Sequence, residues 1–406
     1  MVLANPERSR PLDIAIAGCG PAGLAAALLL HRDGHRVTMF ERFDRPRALG
    51  SGLMIQPTGL AVLGKLGLAD TIVARGSRVD RLFGQAANSR RTVLDVRYTA
   101  LSRPCFGIGI HRASLFDALH DAAMRNGIPI ETGRTIVDTK EVTGGRALVF
   151  ADAGNTARFD LIVDALGTRT PLAAPTGRTL AYGALWASLD WPTGAGFDPH
   201  ALEQRYRAAS VMAGVLPIGM PPGAARGQAA LFWSIRADRV AAWRAAGLGA
   251  WKADVGSLWP ATQALLEQIT HPDQLTFASY AHRTVRRPVE QALIHIGDAW
   301  HSASPQLGQG ANMALLDAYA LMLGLRRGAS VGHGLALASK LRRRHVLLYQ
   351  ALTDMFTPVY QSDSYVLPLL RDWLVGPLST IWPATRIQAA LVAGLVGNPL
   401  RPLGLE

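Results

Sequence analysis

The 406-residue chain has little cysteine and few charged residues. Its only two cysteines, Cys19 and Cys105, provide no disulfide framework, so we expect buried thiols in a reducing compartment. No group of histidines, cysteines or acids has the spacing of metal ligands, so we expect no metal site. Charged residues make up 18% and hydrophobic residues 49% of the chain, which is typical of a folded protein and excludes a disordered one.

Long hydrophobic runs are missing too. The apolar stretch after Pro21 is about ten residues long and the run 389–396 is shorter, whereas a membrane-spanning helix needs about 20 apolar residues. No cleavable signal sequence is visible. We therefore expect a cytoplasmic protein without a transmembrane helix.

Lysine is scarce, and arginine replaces it. Four lysines stand against 38 arginines, and the net charge is +12. The arginines are scattered without interleaved aromatic residues, so we predict a solvated basic surface and no nucleic-acid binding. The C-terminal tail alternates apolar and basic residues, so peripheral membrane contact is the alternative. The sequence does not indicate the oligomeric state.

A glycine-rich turn near the N-terminus carries the first specific signal. A strand, 14–17, leads into G-x-G-x-x-G, a helix follows to about Arg32, and a second strand ends at Glu41. The first glycine allows the tight turn, the second lets the backbone approach a pyrophosphate, and the third lets helix and strand pack closely. We predict a dinucleotide site with an acid for the ribose hydroxyls and an adjacent arginine. Its residues are Gly18, Gly20, Pro21, Ala22, Gly23, Glu41 and Arg42.

A second signal lies late in the chain. An apolar run, 292–296, ends at Gly297-Asp298, and a segment with one proline and two glycines, 305–310, precedes a helix with an apolar face. Such a segment presents a carboxylate and unpaired backbone N–H groups at a helix N-terminus. An anion or an electron-rich ring would be stabilised there.

Together the two segments resemble those of the group A FAD-dependent monooxygenases, an aromatic hydroxylase family with a para-hydroxybenzoate-hydroxylase-like fold. That family carries an N-terminal G-x-G-x-x-G and a late G-D-A-x-H…P…G-Q-G-x-N, in which Trp300 here replaces a small residue. The resemblance implies FAD, with Asp298 on the ribityl chain. It also implies that the flavin ring is bordered by Pro305, Gly308, Gln309, Gly310, Ala311 and Asn312.

Two arginines match further positions of the family. Arg47 precedes a segment, 56–60, that resembles the family's loop beside the flavin. Arg112 matches the family's strand-to-helix arginine near the FAD phosphates and ribityl chain. A guanidinium is well suited to phosphate oxygens, so both are predicted FAD contacts.

The resemblance implies an α/β fold: a Rossmann-like FAD-binding domain interleaved with an antiparallel-sheet substrate domain and a C-terminal helical cap. We assign 1–75, 100–175 and 285–325 to FAD binding, 76–99 and 176–284 to the substrate domain, and 326–406 to the C-terminal helices. Within 176–280 the patterns predict strands at 182–189, 210–216 and 228–235, joined by a loop at 219–227. Residues 313–355 should be helical.

One motif of the family is altered. The family's middle segment ends Gly-Ala-Asp-Gly, and its aspartate serves both FAD and the reaction with nicotinamide. Here Leu166 stands in place of the aspartate, and Asp164, two residues earlier, would point differently. FAD binding should survive this change, but reduction by NADH or NADPH is put in question.

The resemblance implies a monooxygenase that uses NADH or NADPH and O2. It would form a flavin C4a-hydroperoxide and oxygenate a small aromatic or polyketide-like substrate. The flavin carries the chemistry, so no catalytic base is required. Pro305 and His301 are the only catalytic candidates, and His301 more often supports the turn. The candidates for substrate contact lie in the predicted sheet: Tyr182, Trp186, Met212, Phe232 and Trp233.

Other functions share this scaffold. Leu166 leaves open a flavin oxidase or dehydrogenase, or a monooxygenase reduced by a separate reductase. A flavin halogenase needs a catalytic lysine and Trp-x-Trp-x-Ile-Pro, whereas 186–192 differs and Lys65 lacks the context. A non-redox protein on an FAD scaffold is the remaining class.

Overall fold

A six-stranded sheet carries the N-terminal glycine turn. The computed structural model describes residues 11–46, 51–174 and 176–406, so Arg47 lies outside the described residues. The strand order is β17-β18-β11-β1-β2-β8, parallel except for the β17–β18 pair. The strands are β1 (Asp13–Ala17), β2 (Arg36–Phe40), β8 (Ile130–Glu131), β11 (Leu161–Asp164), β17 (Val289–Glu290) and β18 (Leu293–His295).

This sheet is buried on both faces, as parallel sheets are. In β1, Ile14 and Ile16 pack into the main core, which also contains the apolar side of helix α1 (Pro21–Arg32). Ala15 and Ala17 face the other way and pack with Phe40. The strands come from three separate stretches of the chain, which interleaves this unit with the second sheet, although the exact domain boundaries remain a prediction.

An eight-stranded sheet forms the second unit. Its order is β19-β16-β12-β15-β14-β13-β5-β6, and it is antiparallel except for the parallel β13–β5 pair. The strands are β5 (Arg81–Ala86), β6 (Thr92–Arg97), β12 (Thr176–Asp190), β13 (Ala201–Arg207), β14 (Val211–Gly219), β15 (Gln228–Arg236), β16 (Thr276–Thr284) and β19 (His301–Ser302).

Three α-helices interrupt the stretch between β15 and β16, within the segment predicted to be mostly antiparallel sheet. They are α5 (Val240–Ala246), α6 (Leu248–Leu258) and α7 (Gln263–Leu266). Trp251 and Val255 of α6 pack against Leu185 and Leu231, so these helices cover the outer face of the sheet. The helices pack here because each buries an apolar face against the sheet.

The other elements connect and cap the two sheets. Two small sheets consist of β3 (Gly52–Ile55), β4 (Ser77–Val79) and β7 (Gly107–His111), and of β9 (Ile136–Val142) and β10 (Gly145–Phe150). The remaining helices are α2 (Pro57–Lys65), α3 (Ala69–Arg75), α4 (Arg112–Arg125), α8 (Gly310–Arg327), α9 (Val331–Tyr360), α10 (Val366–Leu370), a π-helical turn (Arg371–Val375), α11 (Gly376–Leu378) and α12 (Ala384–Val392).

The segment 313–355, predicted to be helical, consists of two helices, α8 and α9, which are separated by a break that begins at Gly328. None of the helices in the described part of the chain has a stretch long and apolar enough to cross a membrane.

Candidate FAD site

The glycine turn is shaped around an open space. A Cβ at Gly18, whose φ is +104°, would lie 2.7 Å from the Ala165 carbonyl oxygen, and one at Gly23 would lie 2.1 Å from that of Gly18. At Gly20 a Cβ would meet no atom within 4 Å. Gly18 and Gly23 are therefore needed for packing, whereas Gly20 leaves room beside the start of α1. This is the cradle that a pyrophosphate requires.

Glu41 lies beside the same turn. Its carboxylate accepts hydrogen bonds from the backbone N–H groups of Cys19 and Phe43, both at 3.1 Å. Burial, followed by the charge of Glu41, raises the pKa of the Cys19 thiol to about 12, so this thiol is an inert core group. Arg42 is exposed, and its guanidinium lies 4.6 Å from the centre of the Phe43 ring.

The late motif meets the glycine turn directly. A Cβ at Gly297 would lie 3.1 Å from the Ala22 side chain, so Asp298 follows a point of contact between the two motifs. Asp298 is exposed to solvent beside this contact. Burial raises the pKa of Asp298, Asp317 adds to the rise, and His301 and Arg112 oppose it.

Arg112 lies between the late motif and the substrate sheet, because Ser51, to which it donates, contacts Ser188 of β12. It begins α4, and its backbone N–H donates to the Ser51 carbonyl at 2.8 Å. Its charge acts on Asp298 and also on Tyr280 of β16. Burial raises the pKa of Tyr280 to about 12, against the opposing effects of the hydrogen bond from Trp186 and the charge of Arg112.

The segment from Pro305 to Asn312 forms a turn and the start of α8. Gly308 adopts a left-handed conformation with φ of +61°, and its N–H donates to the Pro305 carbonyl at 2.9 Å. A Cβ at Gly310, the first residue of α8, would meet nothing within 4 Å. The N-terminus of this 18-residue helix is thus open, with Pro305 exposed and Ala311 half-buried beside it.

Two polar side chains of this segment face into the protein. Asn312 is buried, accepts from the Gln56 N–H at 2.8 Å, and donates to the carbonyls of Met54 and Gly308. Gln309 is also buried and donates to the Val392 carbonyl at 2.6 Å. Both amides hold the turn in place and leave its backbone free to face a ring.

A buried ion cluster beneath the late motif was not predicted from the sequence. The Asp317 carboxylate accepts from the Gly297 N–H at 3.0 Å, from His301 Nε2 at 2.7 Å and from Arg342 Nε at 2.7 Å. Burial alone would raise the pKa of Asp317, but His301 and Arg342 outweigh it and lower that pKa to about 2. Asp317 was the available signal: it is the only acid in the apolar stretch 313–325.

The cluster continues into the C-terminal part of the chain. Arg342 Nη1 contacts His345 Nδ1 at 3.0 Å, and His345 Nε2 contacts the Gly394 carbonyl at 3.1 Å. Burial, then the charge of Arg342, lowers the pKa of His345 to about 3, which keeps this imidazole neutral. His301 thus contacts Asp317 from the turn within this cluster.

In the altered middle motif, the Asp164 side chain is hydrogen-bonded within the protein core. Its carboxylate accepts from the Leu166 N–H at 3.0 Å and the Thr170 hydroxyl at 2.6 Å, and it contacts His295 Nδ1 at 2.7 Å. Asp164 and His295 are fully buried and stand opposite each other on the paired strands β11 and β18. Asp164 is thus committed to the core, and Leu166 packs against the cluster around Phe40.

The substrate candidates divide between the two faces of the sheet. Phe232 and Met212 share a cluster on the inner face, where the Trp186 and Phe232 rings lie 4.6 Å apart. Trp233 alternates to the outer face and packs with Trp251 of α6, so it is removed from the candidates. Tyr182 donates its hydroxyl to Asp363, near the chain's C-terminal segment.

Two further residues on this side were missed. Tyr280 accepts a hydrogen bond from Trp186 Nε1 at 2.9 Å and is half-buried. Gln361 is 5% exposed, and neither its amide oxygen nor its nitrogen has a hydrogen-bond partner among the described residues. Neither residue belongs to a recognisable motif. Only the period of two in β16 could have placed Tyr280 on the same face as His282.

Comparisons with known proteins agree with this geometry. The FAD binding domain family matches residues 11–345. A 3-amino-4-hydroxybenzoate 2-monooxygenase of Streptomyces cremeus is 28% identical over 79% of this chain and 80% of its own length. A 6-hydroxynicotinate 3-monooxygenase of Pseudomonas fluorescens is 24% identical over 80% and 85%, respectively. HpxO of Klebsiella pneumoniae, solved with FAD and uric acid, has the same fold, with a TM-score of 0.79, 18% identity and coverage of 96% of this chain and 98% of its own.

Fold and site therefore define an FAD-dependent flavoprotein of the para-hydroxybenzoate-hydroxylase-like class. The chain belongs to the FAD binding domain family, and it is a group A FAD-dependent monooxygenase. The predictions of fold class, family, FAD and oxidoreductase function are confirmed. The open space at Gly20, the accessible Asp298 and the open start of α8 fit the pyrophosphate, ribityl and ring portions of FAD, in that order.

Proposed function

We propose that this monooxygenase oxygenates a small, electron-rich aromatic or polyketide-like compound with O2, using NADH or NADPH as electron donor. The observation that carries the proposal is a contact between the FAD motif and the substrate sheet beside Arg112. The Arg112 N–H donates to the Ser51 carbonyl at 2.8 Å, and the Ser51 hydroxyl lies 2.7 Å from that of Ser188 in β12. Trp186, two residues away on the same face of β12, donates to Tyr280 and contacts Phe232. An aromatic surface therefore adjoins the FAD motif.

Bound FAD would take electrons from the nicotinamide and activate O2, and the chain's own groups would prepare the site for this. The N-terminus of α8 would stabilise negative charge on the adjacent edge of the ring. Gly18, Gly20, Pro21, Ala22, Gly23 and Glu41 would hold the adenosine diphosphate portion, with Arg42 and Arg47 as further candidates. The aromatic face of the sheet would exclude water. Pro305 borders the ring in this arrangement without transferring a proton.

Gln361 extends this site toward the polar edge of a substrate. It follows Thr357 by one helical turn, and the Thr357 hydroxyl lies 2.7 Å from that of Ser304, the residue before Pro305. The preceding Tyr360 ring lies 5.6 Å from Tyr206, which clusters with Phe232. An unsatisfied buried amide costs about 1–3 kcal/mol, so a ligand that offers both an acceptor and a donor would recover that free energy.

The similar enzymes favour the same substrate chemistry. The names of two of them specify 3-amino-4-hydroxybenzoate and 6-hydroxynicotinate, which are hydroxylated ring acids. For this chain we propose a hydroxylated aromatic ring that stacks near Trp186 and Phe232, with its polar substituents toward Gln361. Met212 and Tyr182 would line the same face.

Anaerobic flavin bleaching tests this function. We expect NADH or NADPH to bleach the yellow holoenzyme at least about tenfold faster when a hydroxylated aromatic compound from a panel is present. Stopped-flow absorbance at the flavin maximum measures the rate, and benzoate without a ring hydroxyl is the matched control. Bleaching by an organic compound alone would instead establish an oxidase or dehydrogenase. Bleaching only by an added reductase would establish the two-component alternative.

The Leu166→Asp variant tests the altered motif. We expect the new carboxylate to accelerate nicotinamide-driven bleaching by about tenfold or more, because the family's aspartate serves this reaction. Leu166→Asn is the control of equal size without charge, and it should leave the rate near that of the wild type. Equal rates in all three proteins would show that this position does not limit reduction.

Two other properties remain proposals. A cytoplasmic location rests on the composition and the free thiols of Cys19 and Cys105. Peripheral membrane contact rests on the C-terminal segment.

A further inference from the structure

Large hydrophobic side chains are exposed together near the C-terminus. Within 365–387, eight of them are 50–86% exposed, and we call this group the C-terminal apolar patch: Tyr365, Val366, Leu369, Leu370, Trp373, Ile381, Trp382 and Ile387. Elsewhere in the described chain, exposed large hydrophobic residues lie scattered, such as Met124 and Met220. So many exposed apolar side chains within 365–387 indicate an interaction site.

The inner side of this segment is firmly attached. Arg371 is 1% exposed, donates to the carbonyls of Ala208 at 3.1 Å and Val359 at 3.2 Å, and lies 4.9 Å from the Tyr206 ring. A Cβ at Gly376 would lie 2.3 Å from a backbone oxygen of β6. The segment thus has its own contacts with the substrate sheet, and its outward apolar side chains are a surface of the folded chain.

The rim of the patch is basic. The Arg91 guanidinium lies 3.5 Å from the centre of the Trp373 ring. Arg90, which precedes Arg91, and Arg386, which precedes Ile387, are both exposed. The acids in 363–400 are Asp372, which is paired with Arg371 at 2.7 Å, and Asp363, which is paired with Arg236. A second copy of this chain would bring like charges together. A surface with both an apolar interior and negative charge matches the patch better.

We propose that the C-terminal apolar patch docks onto the surface of an anionic phospholipid bilayer. Leu369 and Ile387 would enter the boundary between headgroups and acyl chains, and Trp373 and Trp382 would lie at headgroup level, where indole rings are favoured. The basic rim and the net charge of +12 would attract the anionic lipid. This inference rests on the peripheral membrane contact proposed above and specifies its surface and lipid, and it does not depend on the monooxygenase reaction.

Vesicle sedimentation of the holoprotein tests the proposal. We expect it to bind vesicles of phosphatidylcholine mixed with phosphatidylglycerol, to bind pure phosphatidylcholine more weakly, and to be released by salt. The variant Leu369→Gln/Ile387→Gln should bind about tenfold more weakly or worse, because two apolar groups are lost. Met124→Gln/Met220→Gln, which removes two side chains of similar exposure elsewhere, should bind like the wild type.

The controls separate docking from misfolding and self-association. FAD absorbance and Tm should be unchanged in both double variants, because all four residues are exposed. Arg386→Gln should weaken binding to the anionic vesicles about fivefold and leave binding to phosphatidylcholine unaffected. Equal binding of the two double variants would overturn the proposal, as would failure of the wild type to bind anionic vesicles. A dimer that Leu369→Gln/Ile387→Gln dissociates would overturn it in favour of a second copy.

Discussion

The Asp317→Asn variant should lose about 3–5 kcal/mol of unfolding free energy, because it leaves the buried Arg342 without its counter-charge. Both side chains are about 1% exposed, and the Asp317 carboxylate also accepts from His301 and the Gly297 N–H. An asparagine amide would point donors at donors in this cluster. Thermal unfolding of the holoprotein should show a decrease in Tm of about 4–6 °C for a chain of this length.

Two further variants test whether the unpaired buried charge causes the loss of stability in Asp317→Asn. Asp354→Asn breaks the exposed Arg178–Asp354 pair, whose side chains are 67% and 57% exposed, and should cost less than about 1 kcal/mol. Asp317→Leu/Arg342→Met removes both charges and should recover much of the loss, since no unpaired ion remains. An Asp317→Asn protein as stable as Asp354→Asn would contradict the assigned cluster.

Low pH should destabilise the fold by protonating the Asp317 carboxylate. The pKa of Asp317 is lowered to about 2, below its unfolded value of about 3.9. The carboxylate therefore stabilises the fold above about pH 4, and this stabilisation is lost as the pH falls from about 4 toward 2. Denaturant unfolding across this window should show a smaller pH dependence in Asp317→Asn than in the wild type.

The FAD motifs could be predicted from the sequence because their signals are local. In the glycine turn, strand, turn, helix and terminal acid follow within about thirty residues, and each position has its own steric reason. The late motif is equally local, which allowed Asp298 to be assigned to the segment that precedes α8. In the structure, neighbouring atoms occupy the space where a Cβ of residue 18 or 23 would lie, whereas the space beside Gly20 is open, as that motif requires.

The ion cluster could not be predicted in the same way. Asp317 and Arg342 are 25 residues apart on two helices, and no spacing rule connects them. The helices over 240–266 were missed because a short apolar run is compatible with strand or helix until its packing partner is known. The error at Trp233 was avoidable: adjacent residues of a strand face opposite sides, so Phe232 and Trp233 could not both face the flavin.

Asp298→Ala should lose FAD on desalting, with the dissociation constant raised about 100-fold or more. The family resemblance puts this carboxylate on the ribityl hydroxyls, and hydrogen bonds to a charged acceptor contribute about 1.5–3 kcal/mol each. Flavin absorbance relative to protein absorbance after gel filtration measures the loss. Asp121→Ala, which removes an exposed acid from α4, should retain FAD fully.

The stability of the apoprotein should not change. The Asp298 side chain is exposed to solvent, so its removal should leave the Tm of the Asp298→Ala apoprotein equal to that of the wild-type apoprotein. Added FAD should raise the Tm of the wild type and not that of the variant. A variant that remains yellow would show that Asp298 does not bind the ribityl chain. A variant that loses both FAD and apoprotein stability would show that Asp298 supports the fold. Loss of FAD at unchanged apoprotein stability is the result that separates binding from folding, because a residue that supports the fold would lower both.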